Sequence, residues 1–145
     1  MRLQTFAAFV AFIAVAACSS ASPGPTGPVL YTIADTTDSL RVRVGQTVIV
    51  EGLRVRFEAV DSDSRCPIDA VCVWAGDAVA SFIVEQNCEC GTPAYELELH
   101  TTLEPKSGTA YGIRVELLHL MPSPSVSSPI KKDAYSAWIR LTRAG

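Results

Sequence analysis

The sequence is poor in the residues and motifs on which most catalysis depends. It contains only two histidines, His100 and His119, and neither lies in an H-E-x-x-H context. The G-x-S-x-G and phosphate-loop patterns are absent as well. We therefore interpret the chain as non-enzymatic and expect no cofactor.

Positive charge is also scarce. The 145 residues include 12 Lys and Arg against 15 Asp and Glu, which gives a formal charge of −3, and the basic residues form no cluster. Proteins that bind nucleic acids carry a basic patch or stripe. Nucleic acid is therefore excluded as an expected partner.

Helical periodicity is missing beyond the N-terminal segment, and a period of two takes its place. Leu40, Val42 and Val44 alternate with Arg41 and Arg43, which is typical of an antiparallel strand with one face in water. A change of phase at Leu117 and Leu118 predicts a β-bulge, and Met121 to Lys132 predicts a long surface connection. The sequence predicts an all-β domain over residues 29–145, a single antiparallel sandwich or partly open barrel of seven to eight strands. The predicted strands are 29–34, 40–44, 47–50, 53–59, 78–85, 95–100, 111–120 and 135–141.

Residues 1–17 have the pattern of a secretory signal peptide. Met1 and Arg2 precede an uncharged apolar run from Leu3 to Ala17, which is shorter than the ~20 residues that span a bilayer. The run ends in V-A-A-C, so Cys18 is the expected site of lipidation; the alternative is an ordinary cleavage site with Cys18 as a free thiol. Residues 18–28, rich in Ser, Gly and Pro, predict a flexible tether. The expected location is the cell envelope, with the chain anchored to a membrane by lipid at the periplasmic side of the outer membrane or at the cell surface.

Four cysteines remain after Cys18 is assigned to the lipid, and an even number suits an oxidising compartment. A strand of about eight residues separates Cys66 and Cys72 from Cys88 and Cys90 by ~25 Å, whereas disulfides need Cα atoms within ~7 Å. Local disulfides, Cys66 with Cys72 and Cys88 with Cys90, are therefore favoured. The alternatives are a zinc site and a redox centre at the tight C-x-C pair.

The segment from Asp61 to Asp77 concentrates charges, turn-forming residues and a tryptophan, and we take it as the candidate binding loop. We expect Arg65 to pair with a neighbouring acid, although the aspartates could alternatively gather around Ca²⁺. Trp74 is expected to pack as a lid over the disulfide, the alternative being a ligand-stacking ring. Pro67 and Gly76 should fix turns. The candidate residues are Asp61, Asp63, Arg65, Pro67, Asp69, Trp74, Gly76 and Asp77.

The run D-S-R-C-P-x4-C-x-W-x-G-x-A, from Asp63 to Ala78, resembles a motif of small uncharacterised bacterial lipoproteins and secreted β-proteins. The segments Tyr111 to Pro124 and Tyr135 to Leu141 are weaker points of similarity. The resemblance implies a β-fold and an exported protein but no activity. The favoured function is thus a lipid-anchored binding or structural module, with an envelope protein or glycan as partner; the alternative is a thiol–disulfide redox protein acting through Cys88 and Cys90.

Overall fold

The computed structural model describes residues 29–31 and 39–145, which form two sheets packed face to face. The strands, in chain order, are β1 (Val29–Tyr31), β2 (Leu40–Arg43), β3 (Thr47–Val50), β4 (Leu53–Asp63), β5 (Ala78–Gln86), β6 (Tyr95–His100), β7 (Ser107–Ala110), β8 (Ile113–Met121) and β9 (Ser136–Arg143). One sheet has the order β1-β3-β4-β5-β6 and the other β2-β9-β8-β7. All pairings are antiparallel except that of the short edge strand β1 with β3. The predicted all-β sandwich is confirmed.

The core lies between the two sheets and follows from the period of two. In β4, Leu53, Val55 and Phe57 are buried, while the intervening Arg54 and Arg56 are exposed. The Phe57 ring stacks on that of Phe82 in β5, with centroids 5.0 Å apart. Burial of one such ring contributes roughly 2–3 kcal/mol, so the alternating apolar residues of the two facing sheets supply the hydrophobic core.

Strands β8 and β7 depart from the simple pattern, and the register of β4 with β5 also shifts twice, between Phe57 and Ala59 and between Val60 and Ser62. The predicted bulge in β8 is confirmed, because the register with β9 shifts between Leu117 and His119. The shift leaves Leu117 and Leu120 buried and turns His119 outward. The short strand β7 was not predicted, since its sequence Ser-Gly-Thr-Ala offers no alternating apolar residues.

Three connections gather at one end of the sandwich, which we call the loop end. They are the candidate loop between β4 and β5, the β6–β7 turn, and the long connection from β8 to β9. Cys66 and Cys72 lie at this end, and Cys88 and Cys90 lie at the opposite end after β5. The local pairs are confirmed, with Cα atoms 5.9 Å apart in the first and 5.3 Å apart in the second.

The predicted signal peptide, Cys18 and the tether lie outside the described residues. Among the residues that the structure does describe, no helix has the length and apolar character needed to cross a membrane.

Candidate functional site

Arg65 joins the base of the loop to the opposite sheet. Its Nε donates to Oδ1 of Asp63 at 2.8 Å and its Nη2 to Oδ2 at 2.6 Å, which makes the ion pair bidentate. The same guanidinium donates to the carbonyls of Leu120 at 2.6 Å and Pro122 at 2.8 Å. Only 13% of the Arg65 side chain and 9% of that of Asp63 are exposed. The predicted Arg–Asp pairing is confirmed, and it makes Arg65 a structural link rather than a contact residue at the surface.

The Asp63 carboxylate also receives a hydrogen bond from Tyr135, which begins the return to β9. The Tyr135 hydroxyl donates to Oδ2 at 3.0 Å. Burial by itself raises the pKa of Asp63, but the bonds from Arg65 and Tyr135 outweigh it, so this pKa lies below its usual value. Burial and the adjacent carboxylate raise the pKa of Tyr135. Asp63 is therefore held ionised as the centre of a cross-link between sheets.

Asp77 closes the loop and caps the β6–β7 turn. Its Oδ2 lies 2.6 Å from Nδ1 of His100, and its Oδ1 accepts from Thr101 Oγ1 at 3.1 Å and from the amide of Thr102 at 2.8 Å. Burial raises the pKa of Asp77, yet these hydrogen bonds prevail and lower it to about 2. Because a carboxylate only accepts, His100 Nδ1 carries the proton in this bond. The sequence analysis did not predict this contact, because Asp77 and His100 lie 23 residues apart.

Asp69 fastens the middle of the loop to the β8–β9 connection. Its Oδ1 accepts from the amide of Val126 at 2.8 Å and its Oδ2 from the hydroxyl of Ser125 at 2.7 Å. The amide of Ile68 donates to the carbonyl of Pro124 at 3.0 Å, which adds a backbone bond to the same junction. The hydrogen bonds from the Val126 amide and then from the Ser125 hydroxyl lower the pKa of Asp69.

The four aspartates of the loop do not converge on a common point. Asp61 accepts a hydrogen bond from Ser81, while Asp63, Asp69 and Asp77 bind the separate partners given above. In the described ranges 29–31 and 39–145, no three His, Cys, Asp or Glu side chains come together as a metal site would require. The carboxylates serve as local tethers for the loop.

Backbone geometry completes the loop as predicted for Pro67 and Gly76. The amide of Ala70 donates to the carbonyl of Pro67 at 3.1 Å, which forms a tight turn inside the Cys66–Cys72 ring. Gly76 has φ +69°, and a Cβ there would lie 1.9 Å from the carbonyl oxygen of Ser64. Only glycine fits this close approach.

Trp74 does not cover the disulfide. Its side chain is 82% exposed, so the predicted packing lid is wrong. Three aliphatic side chains of the same loop, those of Ile68, Val71 and Val73, are also exposed, the two valines completely. We call these four residues the apolar tip. The sequence analysis missed the aliphatic members, although the uncharged run from Ala70 to Gly76 within a loop was a usable signal.

The opposite end of the sandwich carries the second disulfide. Cys88 and Cys90 are exposed, and the amide oxygen of Gln86 lies 3.3 Å from Sγ of Cys90. Cys88 also lines an open cleft of about 430 Å³, whose wall includes an ion pair between Glu51 and Arg143. This end therefore has an accessible disulfide next to a shallow cleft.

Comparisons of the chain with protein families, with curated proteins and with solved structures give no match. The resemblance of the Asp63-to-Ala78 run to bacterial lipoproteins stays a prediction.

Proposed function

We propose that this chain is a lipid-anchored, non-enzymatic module of the cell envelope and that it binds its partner through the apolar tip. The observation that carries the proposal is the exposure of Trp74, at 82%, together with Ile68, Val71 and Val73 on the same loop. Exposed apolar side chains that cluster on one surface typically mark an interaction site. Tryptophan in particular is enriched among the residues that dominate binding energy.

The rigidity of the loop supports the same proposal. The disulfide closes the loop, the buried Arg65–Asp63 pair fixes its first strand, and Asp77 fixes its return. A surface already held in one conformation loses little entropy when it binds. The rigid base of the loop therefore suits the binding of a partner by the apolar tip.

The engagement of the charged residues supports a role without catalysis. Arg65, Asp63 and Asp77 each use their polar atoms on partners within the protein. A general acid or base needs a free position beside a substrate site. The charged groups of the loop therefore suit a structural role.

Capture of partners from an envelope extract tests the binding module. Trp74→Ala and the double change Val71→Ser with Val73→Ser should lose the captured molecules, because both remove apolar contact area. Tyr95→Ala is the control, since Tyr95 is 49% exposed at the opposite end of the sandwich. Circular dichroism should show the same fold for all variants. Identical captured sets across wild type, tip variants and control would contradict the proposal.

The second candidate is a thiol–disulfide redox protein, and the exposure of Cys88 and Cys90 favours it. Exposed disulfides are more readily reduced than buried ones. The purified protein would then catalyse thiol–disulfide exchange with a disulfide or dithiol substrate faster than a free thiol does, and Cys88→Ser would abolish this activity. If the protein shows no such exchange activity, the binding module stays the proposal.

A further inference from the structure

Exposed apolar side chains are distributed very unevenly over this molecule. Eight large ones are exposed in the described part of the chain, and seven of them belong to the loop end. The eighth, Tyr95, lies at the start of β6 at the other end. The seven are the apolar tip (Ile68, Val71, Val73 and Trp74) with Leu103 of the β6–β7 turn, Met121 at the end of β8 and Val126 of the β8–β9 connection.

The chemistry of the tip suits hydrocarbon better than a sugar. Glycan sites combine an aromatic ring with polar side chains that bind the hydroxyls, but the polar side chains of this loop are engaged within the protein. The run from Ala70 to Gly76 carries no charge, and Trp74 stands among aliphatic residues. Tryptophan flanked by aliphatic side chains is the composition that proteins place at the interface between water and a bilayer.

The direction of the N-terminal strand brings the loop end toward the predicted anchor. β4 runs toward the loop end, β3 is antiparallel to β4, and β1 is parallel to β3. β1 therefore runs away from the loop end, so the chain that precedes Val29 leaves the strand on the side of the apolar tip. A lipid at Cys18 is attached through this departing chain.

The length of the intervening chain is sufficient for contact. Val29 lies level with Val48, and Val48 with Val55 of β4. β4 continues from Val55 to Asp63, a rise of about 25 Å at the usual ~3.3 Å per residue. The residues from Cys18 to Pro28 reach at most ~36–40 Å when fully extended. An anchored chain can therefore place its loop end on the bilayer that holds its lipid.

From these observations we infer that the apolar tip rests on the lipid bilayer to which Cys18 anchors the chain. The inference rests on the proposed function, and it names the bilayer surface as the partner of the tip. The anchor makes the second contact intramolecular, so a contact too weak to bind a free protein still forms at high effective concentration. Contact at two points fixes the orientation of the sandwich, with the Cys88–Cys90 end directed away from the membrane.

Quenching of tryptophan fluorescence by brominated lipid tests the inference. The full chain, produced in a bacterium that processes lipoproteins, is reconstituted into vesicles of phosphatidylcholine with or without brominated acyl chains. Wild type should be quenched by the brominated lipid. Trp74→Phe should lose this quenching, because the remaining Trp138 lies half-buried in β9. The double change Val71→Ser with Val73→Ser keeps Trp74 as reporter and should weaken the quenching.

Three outcomes would overturn the inference, and they separate it from the proposed function. Equal fluorescence in brominated and ordinary vesicles, with tip-dependent capture from envelope extract, would assign the tip to a protein partner and leave the binding module standing. Equal fluorescence in the two kinds of vesicle, together with the same captured molecules for wild type and tip variants, would contradict both proposals. A mass of the reconstituted chain without acyl groups on Cys18 would remove the anchor on which the inference rests.

Discussion

The side chain of Arg65 uses its donors within the protein, so we expect its removal to destabilise the fold. It binds one carboxylate and two carbonyls while 13% exposed. Removal of one member of a buried pair leaves the other charge without compensation, which costs more than the pair itself contributes. Arg65, which the sequence analysis placed in the candidate binding loop, therefore stabilises the fold.

Arg65→Ala should lower the free energy of unfolding by ~3–5 kcal/mol. Arg65→Lys should still cost ~2–3 kcal/mol, because an ammonium keeps the charge but lacks the planar fork. The control is Arg54→Ala, whose pair with Glu85 is 3.5 Å long with both side chains more than 40% exposed, and it should cost less than ~1 kcal/mol. Urea denaturation measures all three. Equal losses for Arg65→Ala and Arg54→Ala would contradict the structural role.

Asp77 should make stability depend on acid pH. Its pKa in the folded protein is about 2, below the ~3.9 of an unfolded chain. The stabilisation is thus present above pH ~4 and is lost as pH falls toward 2, by an amount on the order of 1–2 kcal/mol for this partly exposed group. Urea denaturation at pH 6, 4 and 2.5 checks this.

Asp77→Asn supplies the comparison, since an amide does not titrate. Asp63 and Asp69 also have lowered pKa values and contribute in the same range. The difference between wild type and variant therefore isolates Asp77, and it should shrink as the pH falls. A difference that is constant from pH 6 to 2.5 would show that the carboxylate charge is not what stabilises the turn.

At the scale of elements, the base of the loop is held by its two strands, β4 and β5, and by two neighbouring connections, the β6–β7 turn and the β8–β9 connection. The return into β5 depends on Gly76, where the backbone passes close to Ser64. The Ser64 amide donates to the Asp77 carbonyl at 2.7 Å, and the Asp77 amide donates to the Ser64 hydroxyl at 3.3 Å. The loop can close only because the backbone at Ser64 and the backbone at Gly76 and Asp77 come this close to each other.

Gly76→Ala should destabilise the protein by more than ~3 kcal/mol, because the new Cβ meets a backbone oxygen in addition to the cost of positive φ. Gly91→Ala is a matched control: Gly91 has φ +66°, and a Cβ there meets nothing within 4 Å. It should cost only ~1 kcal/mol. Thermal unfolding followed by circular dichroism compares the two. Similar losses would mean that the close approach to Ser64 has no energetic weight.

The elements that the sequence predicted are those whose signal is local. Strands such as β4 follow from alternation within a few residues, and the Arg65–Asp63 pair joins residues two apart. The Asp77–His100 contact spans 23 residues and depends on the register of β5 with β6. The exposure of Trp74 was missed because large aromatic residues are on average highly buried, and only the tertiary position of the loop turns this one outward.

At the scale of the whole molecule, the topology follows from strand count and strand length. The distance across β5 separates the two cysteine pairs, which is why their pairing could be predicted. The route of β1 alongside β3 could not, because its three residues carry no pattern that favours parallel pairing. The inferred orientation of the molecule relative to the predicted anchor at Cys18 depends on that one strand.

Membrane attachment should depend on Cys18. Cys18→Ala removes the only thiol in the predicted cleavage motif, so the chain should lose its acyl groups and move from the detergent phase to the aqueous phase on fractionation. Ser19→Ala, one residue further on, is the control and should stay with the membrane. A Cys18→Ala chain that is still processed and still needs detergent would contradict the lipid anchor.

The hydrogen bonds that define the loop belong to its base and to Asp69 in its middle, and the side chains of the apolar tip share in none of them. If the apolar tip is the binding site proposed above, folding and recognition are encoded by separate residues on one short segment. We expect that exchange of Val71, Val73 or Trp74 leaves the free energy of unfolding nearly unchanged, because each of the three residues is at least 82% exposed. A lineage carrying this scaffold could acquire a new specificity by drift at three or four codons while the β-sandwich beneath is inherited intact.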